Sequence, residues 1–231
     1  MKLWFFCLLA AIAVAPRPAA AAPPLLTEIT VNGSGTVWLA PDVAIVSAGV
    51  DSNSASAADA LAENNRSYER IVASLARIGI ARTDIALRQY GVTYNAPPPV
   101  LPANPSGERY GYTVSRSFSV RVRDIAKAGE VTDACIGAGA TAINGVGFEI
   151  ADAQPARERA IAAAVADARK NAELLARDSS LRIVRVKSVA LNNATYFGEG
   201  TIARVTARST AFDQGQVNVE ASVTVVFLAT P

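Results

Sequence analysis

The stretch ITVNGSGTVWLAPDVAIVSAGV, residues 29–50, decides the fold, because its G-x-G either holds a phosphate or packs inside a sheet. Residues 29–37 alternate strictly, and a period of two predicts a half-buried strand. A dinucleotide loop needs its glycines between a strand and the start of a helix. Pro41-Asp42 and another strand follow here instead. We therefore expect Gly33 and Gly35 to let another backbone or a large side chain, such as Trp38, come close.

The N-terminus has the layout of a secretory signal peptide. Lys2 precedes an apolar run over residues 3–14, and a tract of small residues follows it. The run is too short for a transmembrane helix, which needs about 20 residues. We therefore predict that residues 1–21 form a signal peptide, cleaved near Ala21, and that the mature protein is secreted.

Composition limits the classes of partner. The chain has 231 residues, of which 51% are hydrophobic, enough for the core of one domain. Removal of residues 1–21 takes away Lys2 and Arg17, so the 22 basic residues become 20, against 20 acidic residues. A formally neutral protein is not expected to bind nucleic acid or a membrane surface through clustered cations.

The chain contains no histidine, which excludes a Ser-His-Asp or Cys-His hydrolase of the usual form. Cys135 is the one cysteine that remains after cleavage, so no internal disulfide can form. It lies on the apolar side of a predicted helix, and we interpret it as a buried small hydrophobe, not a reactive thiol.

Hydrophobic periodicity predicts an α+β fold. Apolar stripes at spacings of three and four predict helices over residues 55–78, 125–137 and 154–179. Alternation predicts about seven strands, at residues 29–37, 43–50, 85–94, 110–122, 143–150, 183–191 and 216–227. We expect one antiparallel or mixed sheet with the three helices packed on one face.

The helix predicted at residues 154–179 carries a row of small residues: Ala156, Ala160, Ala164, Ala168, Ala172 and Ala176. Because these alanines recur every four residues, they lie on one face and allow a close approach to a sheet or to another helix. The charged residues on the remaining faces are interpreted as a solvated surface.

Three further features call for a structural interpretation. The glycines of residues 137–148 follow a helix and lead into a strand, an order that indicates helix capping and a tight turn, not an anion site. The proline-rich segment 95–107 predicts an exposed hairpin tip or an extended arm. Arg116 interrupts an apolar strand face, so we expect a carboxylate partner and a position near a sheet edge or an interface.

Six segments in order resemble the SIMPL (DUF541) family of bacterial periplasmic and outer-membrane-associated proteins. They are residues 29–50, SLARIGIARTDI at 74–85, GYTVSRSFSVRVRD at 111–124, GATAINGVGFEI at 139–150, ARERAIAAAVADARKNAELLA at 156–176 and GQVNVEASVTVVFL at 215–228. The resemblance implies a single SIMPL-like domain over residues 22–231, located in the periplasm.

The resemblance also implies an envelope or outer-membrane association, a link to oxidative-stress tolerance and assembly into large rings. The family has no accepted catalytic motif, so the resemblance implies no catalytic, cofactor-binding or metal-binding residues. It matches Gly33, Gly35, Pro41 and Asp42 to the most recognisable family motif, for which we expect a structural role.

Three functional hypotheses follow. The first is a non-enzymatic, homo-oligomeric envelope protein in which the proline-rich arm or residues 192–213 reach a neighbouring subunit. The second is a periplasmic small-ligand binder, with the glycines at 33–35 and 145–147 lining a shallow pocket. The third is an enzyme that uses carboxylates alone; Asp42, Asp51 and Glu149 are the candidates, and their spacing does not pair them. We favour the first and expect no cofactor.

Overall fold

A computed structural model describes residues 26–97, 110–198, 202–206, 209–213 and 215–231. The helices are α1 (Ala57–Arg77), α2 (Ala128–Gly137) and α3 (Gln154–Asp178). The strands are β1 (Thr27–Leu39), β2 (Val43–Ser54), β3 (Ile85–Asn95), β4 (Gly111–Val122), β5 (Ala142–Glu149), β6 (Arg182–Gly198), β7 (Ile202–Thr206), β8 (Ser209–Asp213) and β9 (Val217–Thr230). The predicted signal peptide and most of the proline-rich segment lie outside the described residues.

Seven of these strands form two antiparallel sheets, and the α+β class is confirmed. The first sheet has the order β1-β9-β6, the second has the order β3-β4-β2-β5, and β7 pairs with β8. The sequence predicted one sheet because alternation reveals strands but not their partners. The break at Pro41-Asp42 separates β1, which pairs with β9, from β2, which pairs with β4 and β5.

In the first sheet α3 lies directly on β1, because Gly33 and Gly35 leave room for its backbone. A Cβ atom on Gly33 would lie 2.1 Å from the carbonyl oxygen of Ala164, and one on Gly35 would lie 2.2 Å from that of Ala160. Real Cβ atoms do not come this close to backbone atoms. The expected close approach is therefore confirmed, but the neighbour is α3 and not Trp38, whose side chain is half exposed.

The alanine row of α3 fills this seam. All six alanines, from Ala156 to Ala176, are buried against apolar residues of β1 and β9. Two polar side chains of α3 also bind the outer edge of β1: the Ser34 amide donates to Asp167 at 3.1 Å, and Asn171 donates to the Asn32 carbonyl at 3.3 Å. The helix thus covers backbone groups that a neighbouring strand could otherwise pair with.

In the second sheet, α1 packs on β2 and β4, and α2 packs on β2 and β5. Large side chains fill this core, with Ile71, Leu75 and Phe118 fully buried. Tyr68 meets the Phe118 ring edge-on, with 5.4 Å between the ring centroids. Buried Asn64 fixes α1 to the sheet, since its amide group donates to the carbonyls of Val50 and Val114.

Asp42 joins the two segments that connect the sheets. The chain leaves the first sheet at residues 40–42 and returns to it at residues 150–153. The Asp42 amide donates to the Glu149 carbonyl at 3.0 Å, and the Asp42 carboxylate accepts from the Ala151 amide at 2.7 Å. Asp42 therefore joins the outgoing connection to the returning one, and this link is its structural role.

The predicted element boundaries agree with the structure to within a few residues, except that β6 continues to Gly198 instead of ending at Leu191. Asp124 accepts a hydrogen bond from the Ala126 amide, as expected of a helix-capping residue. Gly139, just after α2, has a φ of +108°, which confirms the capping interpretation for this glycine, whereas Gly137 is the last residue of α2 itself. None of the described helices combines the length and apolarity needed to cross a bilayer.

Candidate functional site

The three carboxylates considered for catalysis do not form a site. The Asp42 carboxylate accepts a hydrogen bond from the Ala151 amide, whereas the Asp51 amide donates to the Thr141 hydroxyl oxygen, in a different segment. Across the described ranges, no group of three or more Cys, His, Asp and Glu side chains is close enough to hold a metal ion. The Asp42 carboxylate therefore has a structural role, and Glu149 lines the polar cleft described below.

The pocket expected at the glycines is not formed, so this expectation was wrong. Gly33 and Gly35 lie in the first sheet beneath α3, with no space above them. Gly145 and Gly147 lie on β5 of the second sheet, with open space beside them. The two pairs cannot line one pocket, because they belong to different sheets and one pair is already covered.

Cys135 is fully buried in α2, as predicted. Burial raises the pKa of its thiol to about 11, because the apolar surroundings disfavour the charged thiolate. The thiolate is the nucleophilic form of cysteine. Cys135 therefore contributes to packing and is suppressed as a nucleophile at neutral pH.

Among the residues that the structure describes, Arg116 has aromatic and amide partners and not the carboxylate that we expected. Its guanidinium lies 4.4 Å from the ring centroid of Tyr68 and 5.1 Å from that of Tyr90, and it donates to the Asn65 side chain at 2.6 Å. β4 is a central strand, so Arg116 is also not at a sheet edge. Two ring faces stabilise the cation here in place of an anion, although its Nε is buried without a hydrogen-bond partner among the described residues.

In each sheet the helices leave one edge strand covered only in part or not at all on the helix side. A helix with its side chains is about 10–12 Å wide, while neighbouring strands lie about 4.8 Å apart. One helix therefore covers about two strands. α3 lies mainly on β1 and β9 and also reaches β6, where Arg157 donates to the Ala194 carbonyl, so β6 is covered only in part. α1 and α2 lie on β2, β4 and β5 and leave most of β3 uncovered.

The uncovered side of β3 forms an apolar surface, the β3 stripe, made of Leu87, Tyr90, Val92 and Tyr94. Register shows its orientation: Leu87 faces Phe118 and Val92 faces Val114, both of which are buried on the helix side of the sheet. Yet Leu87 and Tyr94 are each 58% exposed. The stripe thus extends the apolar side of the second sheet beyond its helices.

The uncovered side of β6 forms the α3–β6 groove, a cleft of about 620 Å³ between α3 and the strand. Val186 faces the buried Phe227 of β9, and Val189 and Leu191 continue this face along β6. These three β6 side chains are about half exposed. Unlike the β3 stripe, the groove is bordered by arginines, namely Arg169, Arg177, Arg182 and Arg185.

A second, polar cleft of about 410 Å³ lies on β3 and β4 of the second sheet, near its link to α1. Asp84 lines it and pairs with Arg123 at 2.8 Å. The hydrogen bond from Arg123 lowers the pKa of the Asp84 carboxyl below its usual value. The pair neutralises one of the two carboxylates that line the cleft, and Glu149 is the other.

The sequence pattern predicted strands β3 and β6, but it did not predict the β3 stripe or the α3–β6 groove. Exposure of their apolar side chains depends on which strands the helices cover, and the strand patterns alone do not state this. One signal was present in the sequence: Arg182 and Arg185 flank apolar residues in RIVRV, where a buried strand would not carry two cations.

A family model described as "Protein of unknown function (DUF541)" and named SIMPL matches residues 29–227. The chain belongs to the SIMPL family. This result confirms the resemblance drawn from the six sequence segments. The match contains the glycine seam, the Asp42 connection and all three helices, so the architecture described above is that of the family region.

Two curated relatives carry the name "26 kDa periplasmic immunogenic protein", one from Brucella melitensis biotype 1 (strain 16M) and one from Brucella abortus (strain S19). Each is 29% identical to this SIMPL chain in an alignment of 156 residues, and the match covers 63% of the chain. The matched part is 60% of the length of these relatives. Neither name describes an enzymatic activity.

The β3 stripe and the α3–β6 groove both lie inside the SIMPL match. They are therefore surfaces of the family domain and not of a flanking segment. The stripe is uncharged and aromatic in part, whereas the groove combines an aliphatic floor with arginines. This difference in chemistry favours different occupants for the two surfaces.

Proposed function

We propose that this SIMPL protein is a non-enzymatic periplasmic protein that acts as a homo-oligomer, with subunits in contact through the β3 stripe. The observation that carries the proposal is the exposure of four apolar side chains on the helix side of an edge strand. Edge strands with exposed apolar residues associate unless they are protected. A second copy can extend the same sheet or cover the same stripe.

The contrast with β1 supports this assignment. β1 is also an edge strand, but Asp167 and Asn171 of α3 bind its free backbone groups. Neither α1 nor α2 packs on β3. In the part of the chain that the structure describes, the β1 edge is therefore protected by a helix and the β3 edge is not. Among the edge strands that are not protected in this way, β3 is the one that we assign to subunit contact.

The predicted signal peptide and the names of the two Brucella relatives support the location in the periplasm. An association with the cell envelope or the outer membrane is part of the same proposal and follows from the family resemblance. The proline-rich segment follows β3 in the chain, and we propose that it reaches the neighbouring subunit.

The non-enzymatic part of the proposal is supported by the surroundings of the candidate groups. The Cys135 thiol is buried with a raised pKa, and the Asp42 carboxylate is committed to a backbone amide. A role in oxidative-stress tolerance would be indirect. Met1 is the single methionine of the chain and belongs to the predicted signal peptide, which leaves a buried thiol as the oxidisable sulfur.

The test is the molar mass of the mature protein, residues 22–231, measured by size-exclusion chromatography with light scattering. We expect a mass that is a multiple of the subunit mass and that rises with concentration. Val92→Asp should reduce it to the monomer, since a carboxylate on the stripe cannot be buried without a partner.

The matched control is Val189→Asp, which places the same charge on an exposed valine of the other open strand, β6. We expect this variant to assemble as the wild type does. A monomeric wild type at high concentration contradicts the proposal, and an equal loss of assembly in both variants contradicts the assignment to β3. Circular dichroism of each variant verifies that it is folded.

A further inference from the structure

The polar cleft lies on the outer face of the second sheet, opposite α1 and α2. Phe118 and Val120 of β4 are buried in the core beneath the helices, so Ser119 between them points to the outer face. Ser119 faces Ala86 of β3, and both line the cleft, so small side chains form its floor. The volume of about 410 Å³ lies within the usual range for small-ligand sites, about 300–1,000 Å³.

An irregularity in β3 adds an arginine to this outer face. Leu87 and Tyr90 both pair with β4 residues whose side chains lie on the helix side of the sheet. Regular alternation allows one residue between them, but Arg88 and Gln89 both lie there, and the register shifts as at a β-bulge. Bulges redirect side chains. Arg88 is directed to the outer face in this way, and it lines the cleft.

Two of the three arginines that line the cleft have no acidic partner in the part of the chain that the structure describes. Arg123 binds Asp84, whereas Arg88 and Arg121 take part in none of the ion pairs between described residues. By register, Arg121 is the next outer-face residue beyond Ser119 in one direction, and Arg88 follows Ala86 in the opposite direction. The two unpaired guanidinium groups therefore flank Ser119.

Ser119 gives an observation that is independent of the arginines. It is only 8% exposed, it lines the cleft, and its hydroxyl makes no hydrogen bond to another described residue. A hydroxyl that loses most of its water without gaining a partner costs free energy. A ligand oxygen that accepts a hydrogen bond from Ser119 would recover this cost.

We propose that the polar cleft binds the phosphate group of a small, soluble phosphate monoester, with Arg88, Arg121 and the Ser119 hydroxyl as donors to its oxygens. A phosphate monoester carries a charge of about −1.5 to −2 at neutral pH, which two unpaired guanidinium groups match. A carboxylate carries one charge and matches a single arginine. Thr83 and Glu149 also line the cleft and supply hydrogen-bonding groups for hydroxyls on the rest of the ligand.

This inference goes beyond the proposed self-association, although both involve β3. The β3 stripe lies on the helix side of the strand, and the polar cleft lies on the opposite side. Val92→Asp should therefore leave phosphate binding unchanged, and substitutions in the cleft should leave the molar mass unchanged. The two proposals can fail independently.

The test is isothermal titration calorimetry of the mature protein with glycerol 1-phosphate. We expect it to bind about tenfold or more tightly than acetate, because two arginines contact a dianion. Glycerol, which has no anionic group, should not bind. Inorganic phosphate should bind more weakly than glycerol 1-phosphate, because it has no hydroxylated remainder. The affinity should fall as salt is raised, since both arginines are exposed.

The decisive variant is the double substitution Arg88→Gln and Arg121→Gln, for which we expect a loss of about tenfold or more in affinity for glycerol 1-phosphate. The matched control is Arg182→Gln with Arg185→Gln. It removes the same charge from two exposed arginines of the first sheet that also take part in no ion pair between described residues, and it should bind like the wild type.

Ser119→Ala tests the site without a change in charge. We expect a loss of about tenfold in affinity, since a hydrogen bond to a charged group is removed. Ser117→Ala is its control, because Ser117 is the next outer-face residue of β4 and faces Gln89, outside the cleft. Circular dichroism and the melting temperature of each variant verify that it is folded.

Equal affinity for acetate, or an unchanged affinity in the Arg88 and Arg121 double variant, would overturn the proposal. An equal loss in both double variants would reveal a general charge effect and would overturn the assignment to the cleft. Inorganic phosphate that binds as tightly as glycerol 1-phosphate would overturn the assignment to an ester. Binding only to vesicles that contain phosphatidic acid would overturn the assignment to a soluble ligand. A reduced molar mass of the cleft variant would show that this face contacts a second copy, and would overturn the ligand assignment.

Discussion

The two helix–sheet seams of this protein are built in opposite ways. Beneath α3 the seam consists of glycine and alanine, so that backbone atoms of the helix and of β1 nearly touch. Beneath α1 the seam is filled by Ile71, Leu75 and Phe118. The first seam depends on the absence of side-chain volume, and the second depends on its presence.

This difference explains the distribution of surfaces. The notch made by Gly33 and Gly35 fixes α3 over β1, and the sheet beyond β9 is left open as the α3–β6 groove. In the second sheet two helices share four strands, and β3 is the strand that remains. A narrow helix placed at one side of a sheet therefore leaves a defined apolar edge on the other side.

The largest expected effect is that of Gly35→Ala. A methyl group there would lie 2.2 Å from a carbonyl oxygen of α3, and a backbone cannot move away as a flexible side chain can. We expect a loss of about 3 kcal/mol or more in the free energy of unfolding, measured by urea denaturation. Gly91→Ala on β3 is the control, since nothing lies within 4 Å of its Cβ position. A similar loss in both variants would mean that the seam is not tight.

The second seam should respond to the opposite change, Leu75→Ala. Leu75 is fully buried, so its truncation leaves a cavity, and we expect a loss of about 2–5 kcal/mol in the same measurement. Leu174→Ala on α3 is the matched control, because that side chain is 40% exposed. A Leu75→Ala variant as stable as this control would show that the core beneath α1 is loosely packed.

Asp42→Ala should have a smaller effect, of about 1–2 kcal/mol, because it removes a single charged hydrogen bond at an exposed position. It should also separate the thermal transitions of the two sheets in calorimetry, since Asp42 joins their connecting segments. Asp42→Asn keeps an oxygen acceptor and should recover most of the loss. If the Asp42→Ala variant still unfolds in a single calorimetric transition at the wild-type temperature, contacts other than Asp42 couple the unfolding of the two sheets.

The smallest expected effect concerns how the folding stability depends on pH, through an ion pair in the second sheet. Arg123 lowers the pKa of Asp84 in the folded state, so the pair stabilises the protein above the ordinary carboxyl value of 3.8. This contribution is lost as the pH falls below that value, through the lowered pKa. Asp84→Asn should remove this part of the acid dependence in urea denaturation between pH 5 and about 2. Parallel stability curves for the variant and the wild type would contradict the pairing.

Local patterns in the sequence predict most of the fold. Strict alternation located the strands, and the alanine row together with the G-x-G predicted a close seam, which the structure assigns to α3 and β1. The division into two sheets was not predictable in this way, because pairing partners are set by contacts between distant segments. Arg116 was misjudged for the same reason, since the rings of Tyr68 and Tyr90 reach it from two other elements.

The candidate surfaces were the least predictable part. An exposed Val92 and a buried Val114 have similar sequence surroundings and face each other in the sheet. Their difference arises from the position of α1, which covers one strand and not the next. Exposure at a sheet edge is therefore a property of the packed layers, and a strand pattern taken alone does not contain it.

Hydrogen–deuterium exchange of the mature protein at several concentrations tests the central claim most directly, because it locates the contact between copies. We predict that the amides of β3 gain protection as the concentration rises, while those of β6 exchange at a rate that does not depend on concentration. Protection of β3 that is independent of concentration, with a concentration-dependent gain at another strand, would contradict the account.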